Sequence, residues 1–577
     1  MPVAIRGTSQ LRFNIPWTLC FTNSASHGNC QIPTMIAPII NWVRAFSDPW
    51  SNADHAARWI GQLPASDPIA LQKEALELVS NFPGARTDAG PGQVEALLRI
   101  DARLEPVISS LTQQYTINYQ KSTSVESRLW HSVFDLVKAF TAAYQIALKA
   151  GYPRSENKRW RAILPWVIVR LAHYKGLDGK YRLFRYSHWI PAQWREFHDL
   201  YEFARMRGWQ REQLVFGVGA FAKPGVSFEQ EYLKTLLLMR LDSGNFTPDQ
   251  VEWVGKQLED WTPTLALTPP PSEGAPFYVD LGGTSGLRRR DRPHSGGRLM
   301  FLDAGPVYGR IVERMRWLPE QDEEVQKVGD LPAREQRLLL MRLASLFGPE
   351  AIAQAPRAAR SQAGAEMRVV VGFQALTRAV AEIERLPEQA RTPGVAASYD
   401  EVTQAVTPNP NPESIARRIR GNAWRLLDRS DTGYRLLAPA KEAPAKLGEL
   451  LAIKDEDNWM LAVVRRMQRQ QVDEVTVGVE IIARRLVRVM MRSWMLPADS
   501  GKPGDERPFF GIYLPAHADN RQSAQRSLIG PADRFTSGGM VELDTGTARY
   551  LIRFSQTLEQ QAGWTWTLFN AVRKLTP

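Results

Sequence analysis

The spacing of apolar residues changes along this chain, from helical periods in the first half to strict alternation near the end. A period of 3.6 and a period of two cannot serve the same element, so that change limits the fold more than any motif does. From Glu126 to Lys149, residues such as Leu129, Val133, Leu136, Val137, Phe140 and Tyr144 fall on one broad helical face. Thr123 and Glu126 have capping-box spacing at its start, and Gly151 stands near its end. A second helix fits Gln193 to Arg207, ending at Gly208. Ser227 with Gln230, and Thr247 with Gln250, open two more.

From Trp424 onward the alternation takes over. Trp424, Leu426 and Asp428 share one face of a strand, and Val475, Val477, Val479 and Ile481 share another. Ala548, Tyr550, Ile552 and Phe554 alternate with polar neighbours, and Trp564, Trp566 and Leu568 repeat the pattern. Short strands broken by Gly and Asp turns indicate a barrel or sandwich. One helix is expected among them, around Ala483 to Trp494.

A length of 577 residues with 44% hydrophobic and 23% charged residues suits a multidomain globular protein. The expected class is multidomain α+β: a mainly helical N-terminal region, an antiparallel barrel and a C-terminal β extension. Residues 1–34 read as a disordered tail or as sequence before a true start at Met35. Residues 35–265 read as the helical domain, and 266–350 as a Pro-rich linker, a hairpin and helices. The barrel is expected over 355–495, with a helical insertion at about 376–415, and the β extension over 496–577.

Net charge is +11, which draws phosphates whether in a nucleotide, a nucleic acid or a lipid headgroup. Cys20 and Cys30 are the only cysteines, too few for a disulfide framework and without partners for a zinc site. The run Phe13 to Phe21 is broken by Asn14 and Pro16, so it makes a poor signal peptide, and a cytoplasmic location is expected.

Several short motifs have ordinary turn readings. Asp280-Leu281-Gly282-Gly283-Thr284 resembles a sugar-kinase phosphate loop but follows the wrong elements. Asp544-Thr545-Gly546-Thr547 matches the aspartic-protease triplet without a second copy. His131, His173, His188 and His198 lack ligand spacing, so neither catalytic nor metal-binding residues are expected. The arginines at 288, 289, 290 and 292 lack neighbouring aromatics for base stacking; nucleic-acid binding stays as an alternative function.

The segment Trp424 to Gly433, WRLLDRSDTG, is a strand entering a tight turn. Asp428, Ser430 and Gly433 match the Asp/Asn-x-Ser-x-x-Gly motif of the PilZ family, and the segment resembles that family. Leu447-Gly448-Glu449-Leu450 resembles its glycine turn, Asn458 to Arg465 its next strand, and Val477-Gly478-Val479-Glu480 its late strand before a C-terminal helix. The long helical N-terminal region resembles that of proteobacterial PilZ proteins.

The resemblance implies a non-catalytic receptor for cyclic di-GMP, a ligand with no further cofactor, acting on an unidentified protein partner through the helical region. The family carries an Arg-x-x-x-Arg motif before the first strand. Here Arg357 and Arg360 stand one residue too close, and Arg417, Arg418 and Arg420 form a second cluster nearer Asp428. Guanidinium groups suit such a ligand because they pair bidentately with phosphates and with the O6/N7 edge of guanine. The alternative is a scaffold with a degenerate, ligand-independent PilZ domain.

Overall fold

A computed structural model describes residues 48–575 except 64–66, 84–88, 120–122, 216–224, 242, 271–273, 291–296, 319–330, 350–360, 363, 385–420, 440–444, 456–457, 470–472, 485–486, 495–507, 516–524, 536–537, 546–547 and 562. The tail at 1–34, both cysteines and most of the insertion expected at 376–415 lie outside the described residues.

Among the described residues eight α-helices form the N-terminal region: α1 (Ala53–Gly61), α2 (Pro68–Ser80), α3 (Pro91–Asn118), α4 (Thr123–Gly151), α5 (Lys158–Leu183), α6 (Pro191–Met206), α7 (Phe228–Met239) and α8 (Pro248–Trp261). The capping pairs at Ser227 and Thr247 fall where expected. The Ser227 hydroxyl accepts from the Gln230 N–H at 3.3 Å, and the Gln230 side chain accepts from the Ser227 N–H at 2.8 Å. The Thr247 N–H donates to the Gln250 side chain at 3.2 Å. α5 is the central helix, buried on nearly every side, so it lacks the one-sided stripe of α4. Its buried Arg170 donates to both oxygens of Asp101 in α3, at 2.7 and 2.8 Å, so neither charge is left bare.

A small antiparallel sheet packs on these helices in the order β1-β4-β2-β3, from β1 (Leu267–Thr268), β2 (Phe277–Asp280), β3 (Arg288–Arg289) and β4 (Leu299–Leu302). Leu267, Phe277, Val279 and Leu302 join the helical core. The strand β1 thus lies inside the Pro-rich stretch and ties it to the core. Helices α9 (Gly305–Trp317) and α10 (Ala333–Phe347) follow.

Next come β5 (Ser361–Gln362), β6 (Glu366–Val371), α11 (Phe373–Glu384), β7 (Asn422–Ser430), β8 (Gly433–Pro439), β9 (Leu450–Asp455), β10 (Asn458–Arg469) and β11 (Glu474–Ala483). Six of these strands close a ring, β6-β7-β8-β11-β10-β9, and β5 adds to the outer end of β7. Its interior holds Trp424, Leu426, Tyr434, Leu436, Val475, Val477 and Val479. Ile481 is only partly buried, because the β10–β11 register shifts beside it and its neighbour Ile482 faces outward.

The expected helix at Ala483 to Trp494 is not there. Ala483 ends β11, and β12 (Val487–Ser493) is a strand of a different sheet. The doublets Arg484-Arg485 and Met490-Met491 mimic a helical face, but Val487, Val489 and Met491 alternate with Arg488, Met490 and Arg492. The strand β12 opens a second closed barrel with β13 (Phe509–Leu514), β14 (Ser527–Gly530), β15 (Met540–Asp544), β16 (Arg549–Gln560) and β17 (Thr565–Leu575).

The second ring runs β12-β13-β14-β17-β16-β15. Counting strands from the first of each barrel, both rings read 1-2-3-6-5-4, all antiparallel. The C-terminal β extension is therefore a second barrel of the same topology. The two pack wall to wall: Leu450, Trp459, Leu461 and Val463 of the first meet Ile512, Leu514, Ile529 and Trp566 of the second, with Phe373 and Leu376 of α11 alongside.

The helical region contacts the first barrel at Tyr186. Tyr186 sits in the barrel core at a backbone φ of 58°, rare for a non-glycine residue, and its carbonyl accepts from the Arg469 N–H at 2.8 Å. Among the described residues no helix is long and apolar enough to cross a membrane.

Candidate functional site: the outer wall at the β7–β8 hairpin

The motif residues build a two-residue hairpin. Ser430 and Gly433 pair across the turn, and the Ser430 hydroxyl donates to the Gly433 carbonyl at 3.1 Å. Gly433 is required by space and not by conformation: a Cβ there would lie 2.2 Å from the Val479 carbonyl oxygen. Arg484 donates to the Asp431 carbonyl at 3.1 Å and straps the turn from β11.

Simple alternation places Asp428 inside with Trp424 and Leu426, and the structure corrects this. The register slips between Leu426 and Asp428, so Leu426 faces Leu436 while Asp428 faces Arg435. A one-residue bulge exchanges the two faces of a strand. Asp428 therefore leaves the core side and stands on the outer wall, where its carboxylate pairs with Arg435 at 2.6 Å. The Asp428 side chain is 9% exposed and that of Arg435 50% exposed.

Register continues the row sideways. Gln362 on β5 lies opposite Asp428, Arg435 lies opposite Gly478 on β11, and Gly478 lies opposite Arg466 on β10. The wall thus reads Gln362–Asp428–Arg435–Gly478–Arg466, with glycine leaving a low floor between two guanidinium-bearing positions. A second bulge, between Val464 and Arg466, turns two consecutive arginines outward. Arg466 packs against Gly244 of the helical region. Arg465 pairs with Glu480 of its own barrel at 2.8 Å and reaches Glu559 of the second barrel at 2.6 Å.

Arg435, Gly478 and Arg466 escape sequence reasoning, although one was within reach. A two-residue turn at Asp431-Thr432 forces Ser430 opposite Gly433, and counting outward brings Asp428 opposite Arg435. The long-range partners on β10 and β11 have no local signal.

Arg357, Arg360, Arg417, Arg418 and Arg420 lie outside the described residues. The described strand residues that follow each cluster pair at opposite ends of β7. Arg360 is bonded to Ser361, which pairs with Arg429, one residue from Asp428. Arg420 precedes Asn422, which pairs with Val369 at the opposite end of β7. Six residues of strand, at roughly 3.3 Å each, put that end about 20 Å from Asp428.

The other motifs are turns and packing. The Asp280 carboxylate accepts from the Gly282 N–H at 2.9 Å, and its carbonyl accepts from the Gly283 N–H at 2.8 Å. Arg289 donates to the Gly348 carbonyl and lies over Phe277, and Arg290 lies over Phe301, so two of the run's arginines face this chain's own groups. Arg292 lies outside the described residues, as do Gly546 and Thr547 of the Asp-Thr-Gly-Thr motif. His198 contacts Tyr232 at 2.6 Å and the Ser285 carbonyl at 3.0 Å, and burial lowers its pKa. Among the described residues no group of three or more His, Cys, Asp or Glu stands where it could hold a metal ion.

Comparison with known proteins adds to this geometry. A family model described as the N-terminal domain of the cyclic-di-GMP receptor FimW matches residues 54–272, and one described as the middle PilZ domain of that receptor matches residues 395–486. The two together span more than half of the chain. A curated relative, the cyclic-di-GMP receptor FimW of Pseudomonas aeruginosa, is 26% identical over 337 residues, covering 50% of this chain and 54% of the relative. The chain thus spans about half the length of that relative. No solved structure matches the chain significantly. With a closed barrel carrying the Asp428-x-Ser430-x-x-Gly433 turn behind a helical domain, the chain belongs to the PilZ-domain family, of the type with a long helical N-terminal region.

Proposed function

We propose that this chain is a cytoplasmic, non-catalytic receptor that binds cyclic di-GMP on the outer wall of its first barrel. Asp428, Ser430 and Gly433 would form the floor, and arginines would close over the phosphates. The observation that carries this is the position of β5: the strand that directly follows Arg357 and Arg360 pairs with Arg429 and Asp428. That connectivity favours Arg357 and Arg360 over Arg417, Arg418 and Arg420, which precede the opposite end of β7. Binding two phosphates and two guanines calls for several charge-assisted contacts, each worth about 1.5–3 kcal/mol.

The binding unit is proposed to begin near residue 355 and to end with β11, before the boundary of 495 suggested by sequence. Output to a protein partner would pass through the helical region, which touches the barrel at Tyr186 and Gly244. A scaffold role without ligand is the competing reading, favoured by the fact that Asp428 already holds an ion pair.

Calorimetric titration with cyclic di-GMP tests the choice, with GTP and oligonucleotides as controls. Replacing Arg357 and Arg360 by Ala should weaken binding by roughly 3–6 kcal/mol, from two contacts. No heat near millimolar ligand would leave the scaffold reading, and binding that survives the double change would move the site to Arg417, Arg418 and Arg420.

A further inference from the structure

We infer that Arg435 is a specificity-determining residue of this wall: it pairs with Asp428 in the place a guanine base will take. The inference rests on the proposed cyclic di-GMP reading and adds a residue that the sequence motif does not contain.

The chemistry is one of shape. A guanidinium offers a carboxylate two N–H groups on a planar fork. Guanine, along its N1–H and N2–H edge, offers a carboxylate a similar pair of donors. Adenine offers one amino donor and one ring acceptor on the corresponding edge, so a carboxylate there meets a repelling lone pair. A carboxylate paired with Arg435 is thus poised for guanine and mismatched for adenine.

The geometry assigns the roles. Asp428 is turned outward by the bulge and its side chain is nearly buried, so its direction is fixed by the backbone. Burying that carboxylate without a donor would be unfavourable, and Arg435 supplies one. Arg435 is half-exposed on a flexible stem and can leave. Its lateral neighbour is Gly478, which puts no side chain in the way of a departing guanidinium. The matching place in the second barrel is filled by Trp566. Exchange therefore trades the Arg435 donor for the base's donors on the same carboxylate, and Arg435 acts as the competitor that a ligand must replace.

The test is calorimetry on the full chain, comparing wild type with Arg435→Gln and Arg435→Lys, each titrated with cyclic di-GMP and with cyclic di-AMP. Removing a half-exposed competitor should tighten cyclic di-GMP binding about two- to fivefold in Arg435→Gln, the size expected for an exposed ion pair. Arg435→Lys, which keeps the charge and loses the fork, should fall between it and wild type. Affinity for cyclic di-AMP should not improve in either variant. Unchanged or weaker cyclic di-GMP binding by the folded variants would overturn the inference and leave the receptor reading standing. Equal gains for both dinucleotides would also overturn it. Binding by Arg435→Gln alone would support it in its strongest form, and silence from every protein would remove the receptor reading and this inference together. Thermal unfolding of each variant shows whether it is folded, and Arg435→Lys carries the test if Arg435→Gln is not.

Discussion

The two barrels share one strand order and use the same wall in opposite ways. In the first, strands two, three and six present Asp428, Arg435 and Gly478 in one register row. In the second, the matching strands present Ile512, Ile529 and Trp566 in one row. Asp428 and Ile512 each stand two residues before the end of their strand. The polar row faces away from the barrel core, while the apolar row is buried against the first barrel. One architecture thus carries a charged wall in one copy and an apolar docking wall in the other. Topology alone does not confer a function; the side chains of one row do.

That contrast predicts unequal costs for changes at equivalent places. Trp566→Ala in the second barrel should have the largest effect. Its side chain is 1% exposed and lies between the barrels. Truncating a buried Trp should destabilise by about 3–5 kcal/mol, read as a lower midpoint in denaturant for the β-rich transition. A change at the first barrel's row, Arg435→Gln, removes a half-exposed pair and should cost less than about 1 kcal/mol. Similar losses at both places would break the comparison.

An effect between these two should appear where the barrels exchange charge. Burial works to raise the Glu559 carboxyl, but the hydrogen bonds and charge of Arg465 outweigh it and hold that carboxyl below its usual value of 4.5. A lowered folded value means the stabilising contribution is fully present above about pH 4.5 and is lost as pH falls through the folded pKa. Glu559→Gln should cost roughly 1–2 kcal/mol at neutral pH, since the pair is only partly buried. The variant should also lose part of the acid sensitivity expected below about pH 4.5. Equal acid sensitivity in both proteins would show that the Arg465–Glu559 contact does not join the barrels in solution.

Sequence reading went furthest where structure is local. The capping pairs at Ser227 and Thr247, the inward Val475, Val477 and Val479, and the hairpin at Ser430 to Gly433 all follow from nearest-neighbour chemistry. It failed where partners are remote. The bulge at Leu427 that turns Asp428 outward exists only in the pairing of β7 with β8. The second barrel hid because β14 is buried at every position and β13 over its last four, so neither shows clean alternation. The doublets around Ala483 to Trp494 read as a helix because one strand ends and another begins within a dozen residues. For the arginine clusters, the family's motif order already favours Arg357 and Arg360, and all five arginines lie outside the described residues.

Hydrogen exchange of the full chain, with and without saturating cyclic di-GMP, tests most directly whether one wall of two is the ligand wall. Ligand should slow exchange in β5, in the β7–β8 hairpin from about 425 to 436, and at Gly478 in β11. The matching strands β13 and β14 should exchange alike in both states. Protection of β13 and β14 with none at Asp428 and Arg435, or no protection in either barrel at ligand near a millimolar, would contradict the account.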